Sequence, residues 1–167
     1  MKFINAYLGL FAFAGLTANA LAACDASVQI RSVDDRFEVK AAGVVRDSQT
    51  GLSWQRCPLG QSWSDEAASC TGEATQYTWF EAMQISTNDD WRVPNKKELV
   101  SIVAYDCSAP AWSEAAFGSQ SVGVFWSATP LPYFSSPTAW AIDFADGAFT
   151  QTSASNTYAV RLVKGGD

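Results

Sequence analysis

DDWRVPNKKELVSIV, residues 89–103, changes character at its proline. Pro94 pushes Val93 into an extended conformation, so the chain enters as strand or loop. Asn95 can then cap a helix, and Glu98, three residues on, can reach back to the cap's own N–H. Leu99, Ile102 and Val103 recur at i, i+3 and i+4, so one face of a short helix is buried. Trp91 and Arg92 could stack on a sugar and pair with an anion. The structural reading is preferred: Trp91 packs in the core, and Arg92 pairs with an internal acid or caps strand carbonyls. Lys96 and Lys97 place positive charge in the first helical turn, opposing the macrodipole by a few tenths of a kcal/mol each. They are therefore candidate binding residues, with pairing to Asp89 and Asp90 as the alternative.

Upstream, Thr78-Trp79-Phe80-Glu81 repeats the capping signature and opens another helix through about Ser86. Earlier still, RFEVKAAGVVRDSQTGLSWQ (36–55) carries β-prone pairs at Phe37/Val39, Val44/Val45 and Leu52/Trp54. Small and turn-forming residues separate them, which predicts short strands joined by tight turns. Residues 57–76 are polar and Gly-containing and predict a loop. Downstream, VFWSA (124–128), TAWAIDF (138–144) and YAVRLV (158–163) predict strands, with a turn at Asp146-Gly147. Trp140, Ile142 and Phe144 share one face of their strand, Ala141 and Asp143 the other. Strands, two short helices, then strands make the class α+β with mostly antiparallel strands. The loop TPLPYFSSP (129–137) holds Tyr133 and Phe134, which are ligand candidates because loops on a rigid scaffold often carry binding. Trp112 is a further candidate, with packing as an equal alternative, as for Trp126.

At the N-terminus, Lys2 precedes an apolar run from Tyr7 to Leu16 and then Ala18, Ala20, Ala22 and Ala23, which predicts a signal peptide over residues 1–23. Residues 24–167 are then one exported domain, in the periplasm, at the cell surface or secreted, with no later transmembrane segment. Cys24, Cys57, Cys70 and Cys107 allow three pairings. Cys57–Cys70 with Cys24–Cys107 is favoured, because the first pair flanks a stretch that can close locally. Leu21-Ala22-Ala23-Cys24 also resembles a lipoprotein box. A lipid anchor at Cys24 is the minority reading, since it leaves an odd number of thiols in an oxidising compartment.

Without the leader, which holds one lysine, ten basic residues face seventeen acidic ones and the net charge is −7. That disfavours nucleic acid and other polyanions as partners. The chain has no histidine, so Ser–His and Cys–His nucleophilic pairs are excluded, and no catalytic residue or cofactor is expected. No C-x-x-C pair supports a structural zinc site. Asp89, Asp90, Asp143 and Asp146 could gather around calcium, but the preferred reading places Asp89-Asp90 in one turn and Asp146-Gly147 in a hairpin turn and expects no metal.

VVRDSQTGLSWQRC (44–57), TWFEAM (78–83), WRVPNKKELVSIV (91–103), FWSATP (125–130), AWAIDFADG (139–147) and VRLVKGG (160–166) together resemble the C-terminal domain family of the Legionella collagen-like protein. The resemblance implies a C-type lectin-like fold, related also to the formylglycine-generating type, with two helices and mostly antiparallel strands. The family's named member is an adhesin that binds sulfated glycosaminoglycans. This chain lacks a collagen-like stalk and is acidic, so that ligand is not carried over. The E-P-N and W-N-D signatures of calcium-dependent lectins are also missing, and nothing around Cys70 or Cys107 resembles a formylglycine-generating enzyme. The expected function is an exported binding or adhesion module with a loop-borne site for a surface glycan or protein. The alternative is a structural subunit of a surface or pilus-type assembly, with enzymatic activity a remote third.

Overall fold

Asn95 caps its helix as its sequence requires: its side chain accepts the Glu98 N–H at 3.0 Å, and the Glu98 carboxylate accepts the Asn95 N–H at 2.8 Å. In the computed structural model, residues 23–24, 33–41, 43–87, 89–119, 123–132 and 136–165 are described. The expected leader lies outside these except for Ala23, and Tyr133 and Phe134 lie outside them too.

Along the chain, β1 (Ala23–Cys24), β2 (Phe37–Ala41), β3 (Val44–Asp47), β4 (Ser53–Gln55), β5 (Ser62–Ser64) and β6 (Ser69–Thr71) precede α1 (Trp79–Met83) and α2 (Lys96–Ser101). Then come β7 (Cys107–Ser108), α3 (Glu114–Phe117), β8 (Val124–Leu131), β9 (Thr138–Asp143), β10 (Ala148–Ser153) and β11 (Val163–Lys164). All the ladders between these strands are antiparallel. One sheet has the order β11-β4-β3-β2, a second β10-β9-β8, and β1-β7 and β5-β6 form two small pairs. The content is α+β, as expected.

The helices differ from the sequence reading in two ways, and residues 57–76, expected as a loop, hold the β5-β6 pair. There are three short helices among the described residues, not two. α3 spans four residues behind an Ser113 cap whose hydroxyl accepts the Ala116 N–H, too short for any helical periodicity to show. α1 closes at Met83 rather than Ser86, because the Gln84 N–H already bonds back to Ala82 and Glu81 in a tightened last turn.

The three-stranded sheet is covered on both faces. Phe125 and Ile142 are paired across β8 and β9 and so share a face, where they pack with Leu99 and Ile102 of α2. Trp126 and Ala141, the next pair, face the opposite way onto Ala82 of α1. The small alanines of β9 are therefore not a solvent face: Ala139 and Ala141 are buried under α1. Extended residues 159–163 feed both cores alternately, with Ala159 and Val163 in the first and Val160 and Leu162 in the second. The buried indoles of Trp126 and Trp112 and the half-buried one of Trp79 find backbone acceptors: Trp126 on Tyr77 O (2.7 Å), Trp79 on Ser127 O (2.9 Å) and Trp112 on Gly118 O (3.0 Å).

Trp112 is a correction. It is 1% exposed and packs edge-to-face or tilted against Phe125 and Phe144 at 5.9 and 5.0 Å, so it is a core residue and not a ligand contact. Beside it lies fully buried Arg161, its guanidinium 5.1, 4.6 and 5.5 Å from the ring centroids of Trp112, Phe117 and Phe125. One nitrogen donates to the carbonyls of Gln55 and Arg56, while Nε and the other terminal nitrogen have no conventional acceptor. The rings take that place. Burial pulls this guanidinium down to about 9, still charged at neutral pH.

Both favoured disulfides are present, Cys24–Cys107 and Cys57–Cys70. A Cys24 sulfur bonded to Cys107 cannot also form the thioether of a lipid anchor, which corrects the minority reading of that residue.

Candidate functional site

The stretch around Pro94 holds the two large sheets in register. Arg92 exchanges backbone hydrogen bonds with Val163 of β11, both 2.9 Å. Two residues on, Pro94 O accepts the Ala128 N–H of β8 at 2.7 Å, and the Lys96 N–H donates to Thr129 Oγ1 at 2.9 Å. The Arg92 side chain turns to the helix cap, donating to both Glu98 oxygens at 2.8 and 2.7 Å. Burial works against the Glu98 charge, but the Arg92 bonds and the Asn95 N–H outweigh it and hold the carboxyl below its usual range.

Arg92, Lys96 and Lys97 do not form one shared basic cluster. Arg92 is committed to Glu98, and the Lys96 ammonium sits 3.2 Å over the Trp140 ring and 4.7 Å from that of Phe149. Among the described residues neither lysine forms an ion pair with Asp89 or Asp90, so that alternative is corrected as well. The aromatic face of β9 and β10 neutralises the first-turn charge of Lys96 instead. Lys97 is exposed.

Asp89, Asp90 and Asp146 lie in turns or bends, and Asp143 ends β9. Asp143 and Asp146 accept the N–H groups of Ala145 and Ala148, both at 2.9 Å, and so shape the β9–β10 turn. Gly147 closes it at φ +77°, where a Cβ would meet Val103 Cγ1 at 2.6 Å. Among the described residues no three acids or cysteines gather as a metal site.

Concavity lies elsewhere, around the disulfide-pinned loop. A groove of about 400 Å³ is lined by Gly43, Gln55, Gln61, Trp63 and Trp91 among others. Half-buried Trp91 packs on the second core cluster and also lines this groove, with the Lys164 ammonium 5.2 Å from its ring. Trp63 projects from the β5-β6 hairpin. Its indole N–H donates to Asp65 at 2.8 Å, and the Arg56 guanidinium lies 3.2 Å from its ring centroid. Arg56 is itself pinned by the carbonyls of Ala115 and Ala116, both 2.7 Å away, so α3 indirectly holds Trp63 in place. Gln61 donates to Gly72 O at 2.9 Å, but its buried Oε1 has no partner. Gln61 also lines a second cleft, of about 350 Å³, with Glu73, Gln76 and Tyr158.

The match to a family model covers residues 43–164, and the family is the Lcl C-terminal domain. The chain belongs to the Lcl C-terminal domain family. Comparison with curated proteins finds no match, and comparison with solved structures finds none either. In this Lcl C-terminal domain the groove, its disulfide Cys57–Cys70 and the Pro94 stretch all fall inside the matched span, whereas Cys24 lies before it.

Sequence reasoning missed Trp63, Gln61 and Gln55. Residues 57–76 read as a polar loop, and its one aromatic drew no notice. The available signal was a tryptophan between two cysteines close enough to pair, a way of holding an indole out from the core.

Proposed function

We propose that the protein is an exported binding module of C-type lectin-like architecture that takes a glycan in the groove between Trp63 and Trp91. The observation that carries this reading is two half-buried indoles, Trp63 and Trp91, on one groove with the carboxamide residues Gln55 and Gln61. Indole faces stack on the C–H faces of sugars, and carboxamides exchange hydrogen bonds with hydroxyls, so a neutral saccharide suits the lining better than an anion. The overall charge points the same way. The lectin-like assignment is supported by the late strand β11 joining the sheet of the early strands β2, β3 and β4, and by a disulfide-pinned loop beside the sheets. Export is supported by the leader-like residues 1–23 and by four cysteines paired without remainder. No helix among the described residues is long and apolar enough to cross a membrane. The module binds its ligand without turning it over, a reading supported by the lack of histidine.

A glycan array on the mature domain tests this. Reproducible hits that vanish in Trp63→Ala, at an unchanged melting temperature, are the expected result. Clean arrays for the wild type, with a protein partner co-purifying, would shift the reading to the structural subunit.

A further inference from the structure

Exposed sheet edges offer rows of unpaired N–H and C=O groups, and proteins guard them with charge, proline, bulges or shortness. This fold guards every large edge but one. β2 carries Glu38 and Lys40 and a register shift between Val39 and Ala41. β11 is two residues long and is joined by Arg92. The outer side of β8 is taken up by Ala159, which exchanges bonds with Val124 and Trp126, and by Pro94 O on the Ala128 N–H. The remaining edge strands, β1, β5, β6 and β7, are two or three residues long.

β10 has none of these devices. Its six residues, AFTQTS, contain no charge and no proline, and they pair with β9 in unbroken register from Ala148 to Ser153. It is the last strand of its sheet, and among the described residues the backbone of Phe149 to Thr152 bonds to no element except β9. Phe149 remains 42% exposed upon it.

We propose that β10 is a self-association edge, pairing antiparallel with β10 of a second copy of this chain to form a continuous six-stranded sheet. The strand suits its own copy. Two strands without charge meet without repulsion, although the whole molecule is acidic. A two-fold axis normal to the sheet keeps like faces together, so opposed residues must have the same parity. Centring the axis on Thr150 sets the two Thr150 side chains together and each Phe149 against Gln151 of the other copy; centring it on Gln151 sets the two Gln151 together. Either arrangement gives pairs that antiparallel sheets favour. Both copies' Lys96–Trp140–Phe149 clusters then lie on one face of the joined sheet. An edge of six residues with little flanking area makes a weak dimer, in the micromolar range or weaker. This inference does not rest on the glycan reading.

Sedimentation velocity on the full mature chain, from micromolar to near-millimolar, tests it alongside the double variant Thr150→Lys/Gln151→Lys, which opposes like charges in either register. The expected result is a reversible wild-type dimer whose dissociation constant rises about tenfold or more in the variant, with melting of the dilute monomer unchanged. Hydrogen exchange gives an independent reading that needs no variant: protection of amides 148–153 should rise with protein concentration. A wild type that stays monomeric at the highest concentration overturns the proposal. So does a dimer as tight in the variant as in the wild type, or β10 protection that does not depend on concentration.

Discussion

Arg92 and Glu98 face each other through two parallel hydrogen bonds while Glu98 also accepts the N–H of the Asn95 cap, so one carboxylate closes both a salt bridge and a helix end. Glu98→Ala should cost about 1–2 kcal/mol through the lost cap and the unpaired arginine, and Asn95→Ala about 1 kcal/mol. Arg92 is 48% exposed, so a double-mutant cycle should assign its pair no more than about 1 kcal/mol. Trp91 is half-buried, which makes about 1–3 kcal/mol the expected cost of Trp91→Ala. Urea unfolding of these variants, with Arg92→Ala and the Arg92→Ala/Glu98→Ala double that complete the cycle, measures these values. A Trp91→Ala protein that melts normally would show that the residue's part in holding the sheets together is dispensable.

Acid should unfold the protein partly through two carboxyls. Asp47 is buried, and burial works against its charge, but Arg36, the Thr50 hydroxyl and the Gln49 N–H outweigh this and hold it below its usual range, as Arg92 and the Asn95 N–H do for Glu98. Folded values below unfolded ones mean that the stabilisation is complete above about pH 4, the ordinary carboxylate range, and is lost as pH falls through the lowered folded values. Urea midpoints should therefore be flat from neutrality to about pH 5 and fall steeply below it. Asp47→Asn should lower the neutral plateau and flatten the acid limb. An unchanged acid limb in that variant would remove Asp47 from the account.

Arg161 stabilises the core more by volume and hydrogen bonding than by charge. Arg161→Ala should cost about 3–5 kcal/mol, from the cavity and from two carbonyls left without their donor. Arg161→Met keeps most of the volume and relieves the buried charge, so it should fall within about 2 kcal/mol of the wild type. Thermal melts of the two variants decide this. An Arg161→Met protein as damaged as Arg161→Ala would make the guanidinium's hydrogen bonds and its charge on the rings, and not its volume, the dominant contribution.

The mature protein from its native host should gain about 4 Da on reduction, two bridges' worth of protons, and carry no acyl chain. Cys24→Ser/Cys107→Ser opens the bridge with the longer separation, 83 residues against 13, and should cost about 4 kcal/mol against about 3 kcal/mol for Cys57→Ser/Cys70→Ser. A diacylglycerol adduct on Cys24 in the intact mass would be incompatible with the pairing described.

The parts of this fold legible in the sequence are those whose cause is local. Both capping boxes, at Thr78 and Asn95, place acceptor and donor three residues apart, and the Asp146-Gly147 turn needs nothing beyond its own backbone. The surroundings of Lys96 are hidden in the sequence for the opposite reason. Its partner Trp140 lies on a strand over forty residues away, and only the packing of α2 on β9 brings the ring beneath it. Trp112 and Trp63 likewise cannot be told apart by composition. One is enclosed by Phe125 and Phe144, the other carried outward on a hairpin between paired cysteines. Arg161 reads as an ordinary surface alternation within YAVRLV, because nothing in that hexapeptide shows that both faces of the segment are covered.

The short strand at Val163 also has a consequence in time. Its partners, Trp54 and Arg92, are made long before it, yet the first sheet has no β11 and the Arg92 backbone no acceptor until Val163 emerges. Contacts of such wide sequence separation form slowly and late. Synthesis N-terminus first thus leaves the first sheet incomplete until residue 163 has been made.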